Sequence, residues 1–171
     1  PAPPRFFRTP SSPDLTPPPP ALLRHTRPAY VKAVADFIAT TTFGASRTKL
    51  TPYGLPTQVL DINRAAAPIA REEAGENVLV AGAVGPLGIR LEPFGPPSHD
   101  EARAIFAEQI QGLAEGGVDF FLLETFADIQ EIEQALLAAR EVDSTKPVIA
   151  QMTIGSDCLT PYGVSVEDLA R

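Results

Sequence analysis

Short apolar runs alternate along the chain with longer stretches in which apolar residues recur every three or four positions. The runs are 36–43 (DFIATTTF), 78–83 (VLVAGA), 118–124 (VDFFLLE) and 147–153 (PVIAQMT). Continuous apolar runs of this length suit strands covered on both faces, as in parallel sheets. Helix signals lie between them. Ser98-His-Asp-Glu101 is a capping-box pattern, and Ala102, Ile105, Phe106, Ile110 and Leu113 follow at helical spacing. Asp128 opens another helix, with Glu131 three residues on and Ile129, Ile132, Leu136 and Leu137 as its apolar stripe. Gly116-Gly117 stands where a left-handed C-cap is wanted, and Ser165 can cap a last helix. A helix over 57–74 carries Pro68 in its interior, which predicts a kink at a cost of about 3 kcal/mol. Pro28 similarly interrupts any helix over 21–35.

Strand alternating with helix implies parallel βαβ units with right-handed crossovers. An internal echo sharpens this: Asp36-Phe-Ile-Ala-Thr-Thr-Thr42-Phe43 aligns without gaps to Asp119-Phe-Phe-Leu-Leu-Glu-Thr125-Phe126. The predicted class is α/β: an incomplete (β/α)8 TIM-type barrel, about four parallel strands with intervening helices. A doubly wound sheet is the alternative. A complete barrel takes roughly 250 residues. The chain has 171 and begins at Pro1 rather than methionine, so half a barrel is expected. Two segments follow. Residues 1–28 are a proline-rich tail expected to be extended and disordered, with a docking ligand as the other reading. Residues 29–171 form the partial barrel domain.

Composition narrows the function. Hydrophobic residues make up 44%, enough for a core, and the net charge of -7 argues against nucleic acid and anionic membrane as partners. No apolar run approaches the roughly 18 residues of a membrane span. Prolines break any signal-peptide core, so a cytoplasmic location is expected. The one cysteine, Cys158, allows neither an internal disulfide nor a multi-cysteine metal site, and with no histidine nearby it is expected to be inert. His25 and His99 lack metal-ligand spacing and are expected on the surface.

In parallel α/β folds ligands bind at the carboxyl ends of strands. That rule selects Thr40, Thr41, Thr42 and Phe43, the loop 82–88 (GAVGPLG), Glu124 to Phe126, then Gln151 and Thr153. Glu124 ends a run of four apolar residues, and a carboxylate there needs a partner. It either receives a ligand's ammonium group, acts as a general base, or caps a helix or closes a salt bridge at the rim. The glycine-rich loop lets backbone approach a ligand, or simply makes a tight turn, and it lacks a phosphate loop's Gly-Lys-Ser/Thr ending. The threonines fit hydroxyl donation and strand propensity alike. Asp36 and Asp119 stand at the opposite strand ends, where stability is the usual role.

As a set, these segments resemble one family. Ala35-Asp-Phe-Ile-Ala-Thr-Thr-Thr-Phe-Gly-Ala-Ser46 is similar to the second-strand motif of the homocysteine S-methyltransferase domain, and Asn63-Arg-Ala-Ala-Ala-Pro-Ile-Ala-Arg71 to its following helix. Val80-Ala-Gly-Ala-Val-Gly-Pro86 resembles its AGSxGP loop, and Gly117-Val-Asp-Phe-Phe-Leu-Leu-Glu-Thr125 its GVDxxxxET strand. Pro147-Val, Met152-Thr153 and Gly163 continue the match, which covers about 29–171. The wording around Leu91-Glu-Pro-Phe-Gly95 and Phe106–Leu113 looks most like the bacterial form fused to methylenetetrahydrofolate reductase.

The resemblance implies a barrel that methylates the homocysteine thiol to give methionine. Its partners would be homocysteine and a methyl donor: methyltetrahydrofolate through cobalamin, betaine or S-methylmethionine. It carries Glu124 over as the contact for the substrate's amino-acid end, Thr40, Thr42 and Phe43 as pocket lining, and Gly85 and Pro86 as the third-strand loop. No catalytic residue carries over. The family's zinc is held by three cysteines whose motifs are expected beyond Arg171, so zinc is implied while its ligands are absent from this stretch. The family's first-strand motif has no match either, and Thr41 and Val34 replace its usual asparagine and glycine. The chain alone is therefore expected to be inactive. The other expectation is a degenerate half-barrel that serves as a binding or assembly module, associating with the missing barrel half.

Overall fold

The computed structural model describes residues 35–169. Strands β1 (Phe37–Ala39), β2 (Leu79–Val84), β3 (Phe120–Phe126) and β4 (Val148–Met152) form one sheet in the order β1-β2-β3-β4, every pair parallel. Helices α1 (Arg47–Leu50), α2 (Val59–Ala74), α3 (His99–Gly116), α4 (Ile129–Val142) and α5 (Val166–Leu169) occupy the connections and the end. Sequence order and spatial order agree, and the order never reverses as a doubly wound sheet requires. The proline-rich segment 1–28, with His25 and Pro28, lies outside the described residues.

Strand alternation sorts the side chains into two layers. Ile38, Val80, Val84, Phe121 and Leu123 share one core with Ala67, Ala70, Phe106, Ile110, Leu113, Ala135 and Ala139 of the three long helices. Ala81, Phe120 and Leu122 form a second, smaller cluster with Ala39, built from strands alone. This strand-only face is the one that lines the interior of a barrel. It is open here: Phe37 and Ile149 are about 40% exposed. β4 departs from the expectation of a strand buried on both faces, because it is the sheet's edge and its central residues are exposed.

The caps follow the sequence. Ser98 and Glu101 form a complete capping box, and Gly117 takes φ 88 as the C-cap of α3. Its neighbour Gly116 has a different job. Pro68 leaves Arg64 O, four residues earlier, with no amide to accept. That oxygen lies only 2.6 Å from where a Cβ on Gly116 would be, so the glycine makes room for it. α2 continues through Pro68 as one element from Val59 to Ala74. Gly82 plays the same part between β2 and α3, with Leu113 Cδ1 3.1 Å from its would-be Cβ.

At the amino-terminal edge of the sheet, Asp119 accepts from Val80 N at 2.6 Å and pairs with Arg71 of α2. Arg71 also donates to Val78 O at 2.9 Å, so one carboxylate and one guanidinium join α2, β2 and β3. Desolvation pushes the Asp119 carboxyl up, but the Val80 amide and Arg71 outweigh it and hold it below its ordinary value.

Gly116→Ala should destabilise the chain by about 1–3 kcal/mol in chemical denaturation, the usual result of overpacking. A neutral outcome would mean that the helix pair is looser than described. Asp119→Asn should lose about 1 kcal/mol at neutral pH, a figure kept small because the pair is one-third exposed and screened. A lowered folded-state value contributes stability above the ordinary carboxylate range and loses it as pH falls through the folded value. The denaturation midpoints of wild type and variant should therefore converge in acid.

Candidate functional site

The carboxyl ends of all four strands meet at one edge of the sheet. β1 is shorter than the predicted 36–43 because side chains take over from its ladder. The last backbone rung is Thr40 N to Ala81 O at 2.9 Å. Beyond it, Ala83 N donates to Thr40 Oγ1 at 3.0 Å and Thr42 Oγ1 donates to Ala83 O at 2.7 Å. The two hydroxyls lie 2.6 Å apart. Thr42 has one proton and a carbonyl takes it, so Thr40 must be the donor to Thr42. The result is a closed circuit, Ala83 N–H to Thr40 to Thr42 to Ala83 O. The Thr42 proton is committed to β2 and the Thr40 proton to Thr42, so neither is free for a ligand.

The circuit delivers Phe43 to the rim. Its carbonyl accepts from Gly85 N at 3.1 Å, and its ring, 40% exposed, lies on Gly85. A Cβ at Gly85 would fall inside the ring's van der Waals envelope. Pro86 follows, partly buried. β2 and β3 pair through Val84 and Leu123, and one step on, Gly85 and Glu124 leave the two strands side by side. Thr40, Thr42, Phe43, Gly85 and Glu124 are thus brought to one stretch of the edge.

Glu124 shares its face with Phe120 and Leu122, the interior layer, and Gln151 continues that face on β4. The chain then breaks step. Thr125 takes φ 65, an outlier for a β-branched residue, and the register with β4 shifts between Leu123 and Phe126. The irregularity sends Phe126 into the helix-side core while Glu124 stays on the interior side. Glu124 is half-buried and makes no hydrogen bond or ion pair with any described residue. Burial pushes its carboxyl above the ordinary value.

A second carboxylate was not singled out by the sequence. Asp128 caps α4 through Gln130 N at 2.9 Å, but Glu131 does not complete a capping box. It turns inward, 6% exposed, and accepts from Leu87 N at 2.8 Å, fastening the loop after β2 to α4. Desolvation raises its carboxyl to about 6, against the pull of the Leu87 amide, with Asp128 raising it further and Lys49 lowering it. A glutamate at the third helical position is what a capping box uses, so no local signal marked this one. His99, expected on the surface, is half-buried with Nε2 enclosed. Cys158 is exposed at φ 61.

The family model for homocysteine S-methyltransferase matches residues 5–171. The chain belongs to the homocysteine S-methyltransferase family. It is 30% identical over 135 residues to the methionine synthase of Mycobacterium tuberculosis, covering 73% of this chain and 11% of that protein. Against the methionine synthase of Mycobacterium leprae it is 28% identical over 151 residues, covering 78% and 12%. The chain thus spans about a tenth of the length of these curated relatives. Among solved structures, the oxidized form of the Escherichia coli homocysteine methyltransferase MmuM superposes with a TM-score of 0.76 at 23% identity, covering 90% of this chain and 57% of that one. Its metallated form gives 0.75, again at 23% identity, covering 89% and 58%. These likenesses establish the incomplete TIM-type barrel.

The zinc that the family resemblance implies does not fit the residues present. A three-thiolate site needs three cysteines and these 171 residues hold one. Among the described residues no group of three or more histidine, cysteine, aspartate or glutamate side chains is arranged to hold a metal ion. No described helix is long and apolar enough to cross a membrane.

Because Glu131 is raised from 4.5 to about 6, its ionisation should cost about 2 kcal/mol as pH rises through that window. Glu131→Gln keeps an acceptor for Leu87 N and removes the titration. Its stability relative to wild type should therefore climb by that amount between pH 4 and pH 7, roughly the span of the two values. Parallel denaturation curves at both pH values would rule this out.

Proposed function

We propose that the chain supplies the substrate-holding part of a homocysteine S-methyltransferase barrel, which transfers a methyl group to the homocysteine thiol to form methionine. Glu124 receives the ammonium group of the substrate. One observation carries this reading: a half-buried carboxylate without a partner among the described residues stands at a strand's carboxyl tip on the interior face. Such a group is stabilised by a cation, and an amino-acid ammonium is the cation that the family's substrate brings. Phe43, Gly85 and Pro86 line the same edge, and Thr40 and Thr42 hold its shape rather than donate to the ligand.

The thiol-activating metal is assigned to parts of the barrel other than these residues. On its own this stretch binds the amino-acid end without turning it over. The methyl donor and the remaining half of the barrel are its partners. The exposed interior face, with Phe37 and Ile149 uncovered, also supports a second reading as an assembly module that pairs with that half.

Titration calorimetry with L-homocysteine tests the first reading. Glu124→Gln should weaken binding by about 10- to 100-fold, the worth of one charge-assisted hydrogen bond. Affinity of the wild type should also fall as pH drops through the raised Glu124 value, because the protonated acid no longer attracts an ammonium group. Equal affinities for wild type and Glu124→Gln would sink the assignment.

A further inference from the structure

Two carboxamides behind the sheet are aimed at the turn that carries Phe43. Gln109 of α3 is fully buried and donates from Nε2 to Thr42 O at 2.7 Å. Asn63 of α2, also fully buried, donates from Nδ2 to Ala45 O at 2.9 Å and to Val59 O at 2.8 Å. Ala45 N closes the turn on Thr42 O at 2.9 Å. The two carbonyls that bracket the turn are therefore held from the helix side, while Phe43 O is held from the front by Gly85 N. Phe43 sits between these anchors with its ring at the rim.

The arrangement is poor for stability alone. Asn63 Oδ1 and Gln109 Oε1 are buried with no hydrogen-bond partner. Turning either amide over would set an oxygen against the carbonyl it now donates to, so the orientation is forced. A buried unpaired acceptor destabilises the fold, and an apolar side chain of the same volume would avoid it. What an apolar side chain could not do is orient the turn. Neither residue touches the interior face, so neither meets the ligand.

We infer that Gln109 and Asn63 are positioning residues, which hold the Phe43 turn in the geometry that receives the amino-acid substrate. The inference deepens the reading of the Glu124 edge as the substrate pocket and rests on it. Specificity for the amino-acid end is then set partly from behind the sheet, by two donors that the ligand never contacts.

Gln109→Met tests it, since methionine keeps the volume and removes both the donor and the orphaned oxygen. The thermal midpoint should stay at or above that of wild type. Amide hydrogen exchange at Ala45 should quicken and affinity for L-homocysteine should fall, each by about 5- to 10-fold, the equivalent of one net hydrogen bond. Asn63→Leu frees the other end of the turn and also strips Ala45 O of its donor, so its midpoint should fall by more than that of Gln109→Met while exchange and affinity change in the same direction, and it serves if the first variant does not fold. Unchanged exchange at Ala45 in both variants would overturn the inference. So would a fall in midpoint that accounts for the whole loss of affinity. Should wild type bind no homocysteine, the Glu124 reading fails, and exchange at Ala45 still decides whether the carboxamides position the turn.

Discussion

The hydrogen-bond circuit from Ala83 N through Thr40 and Thr42 back to Ala83 O holds the tip of β1 against β2. β1 is only three residues long, and its backbone ladder stops at Ala81. Two hydroxyls then do what two further rungs would have done, and they do it while the backbone is already turning away. This frees the main chain to bring Phe43 across to Gly85. Without it the first strand would end loose, and the edge would have no wall opposite Glu124. The side chains are buried, so the circuit operates away from water, where a closed set of hydrogen bonds is strongest and an open one most costly.

The helix layer obeys a related constraint. α2 and α3 come so close that glycine is required at Gly112 and Gly116, where a Cβ would meet Leu60 O and Arg64 O. The second of these carbonyls is the one left vacant by Pro68, so a defect in one helix and a small residue in its neighbour are matched. The same pair of helices supplies Asn63 and Gln109. Close packing in one layer thus sets where donors stand for the next, and the rim inherits its geometry from the helix contact.

Two raised carboxylates mark the edge, and their surroundings separate them. Glu131 is raised mostly by burial but has the Leu87 amide as a partner and Lys49 nearby, which makes it a fastener for the loop after β2. Glu124 is raised by burial alone and has no partner among the described residues. Position completes the distinction: Glu131 faces the helix side of the loop, Glu124 the interior of the sheet. A shifted carboxyl is informative only when its partners are known, and the one without a partner among the described residues is the one proposed to meet a ligand.

Much was legible in the residues themselves. The parallel α/β order, the Ser98 capping box, the Gly117 cap and the strand-tip location of Glu124 all depend on local pattern, and local pattern is what a sequence carries. The echo between 36–43 and 119–126 aligned Phe43 with Phe126, yet one ring lies at the rim and the other in the core. The difference arises because β1 ends in a turn while β3 steps out of register at Thr125, and both depend on the neighbouring strand. Likewise Thr40 and Thr42 fitted hydroxyl donation as well as strand propensity until Ala83, more than 40 positions away, proved to accept the Thr42 proton and to donate its amide to Thr40, whose own proton goes to Thr42. Glu131 read as a cap and Gly116 as part of a helix stop, until distant backbone proved to be their neighbour. The sequence by itself determined which elements form and where a lone acid would stand. Which polar groups are already satisfied was decided only by tertiary structure, because each hydrogen bond needs a partner that the local chain does not contain.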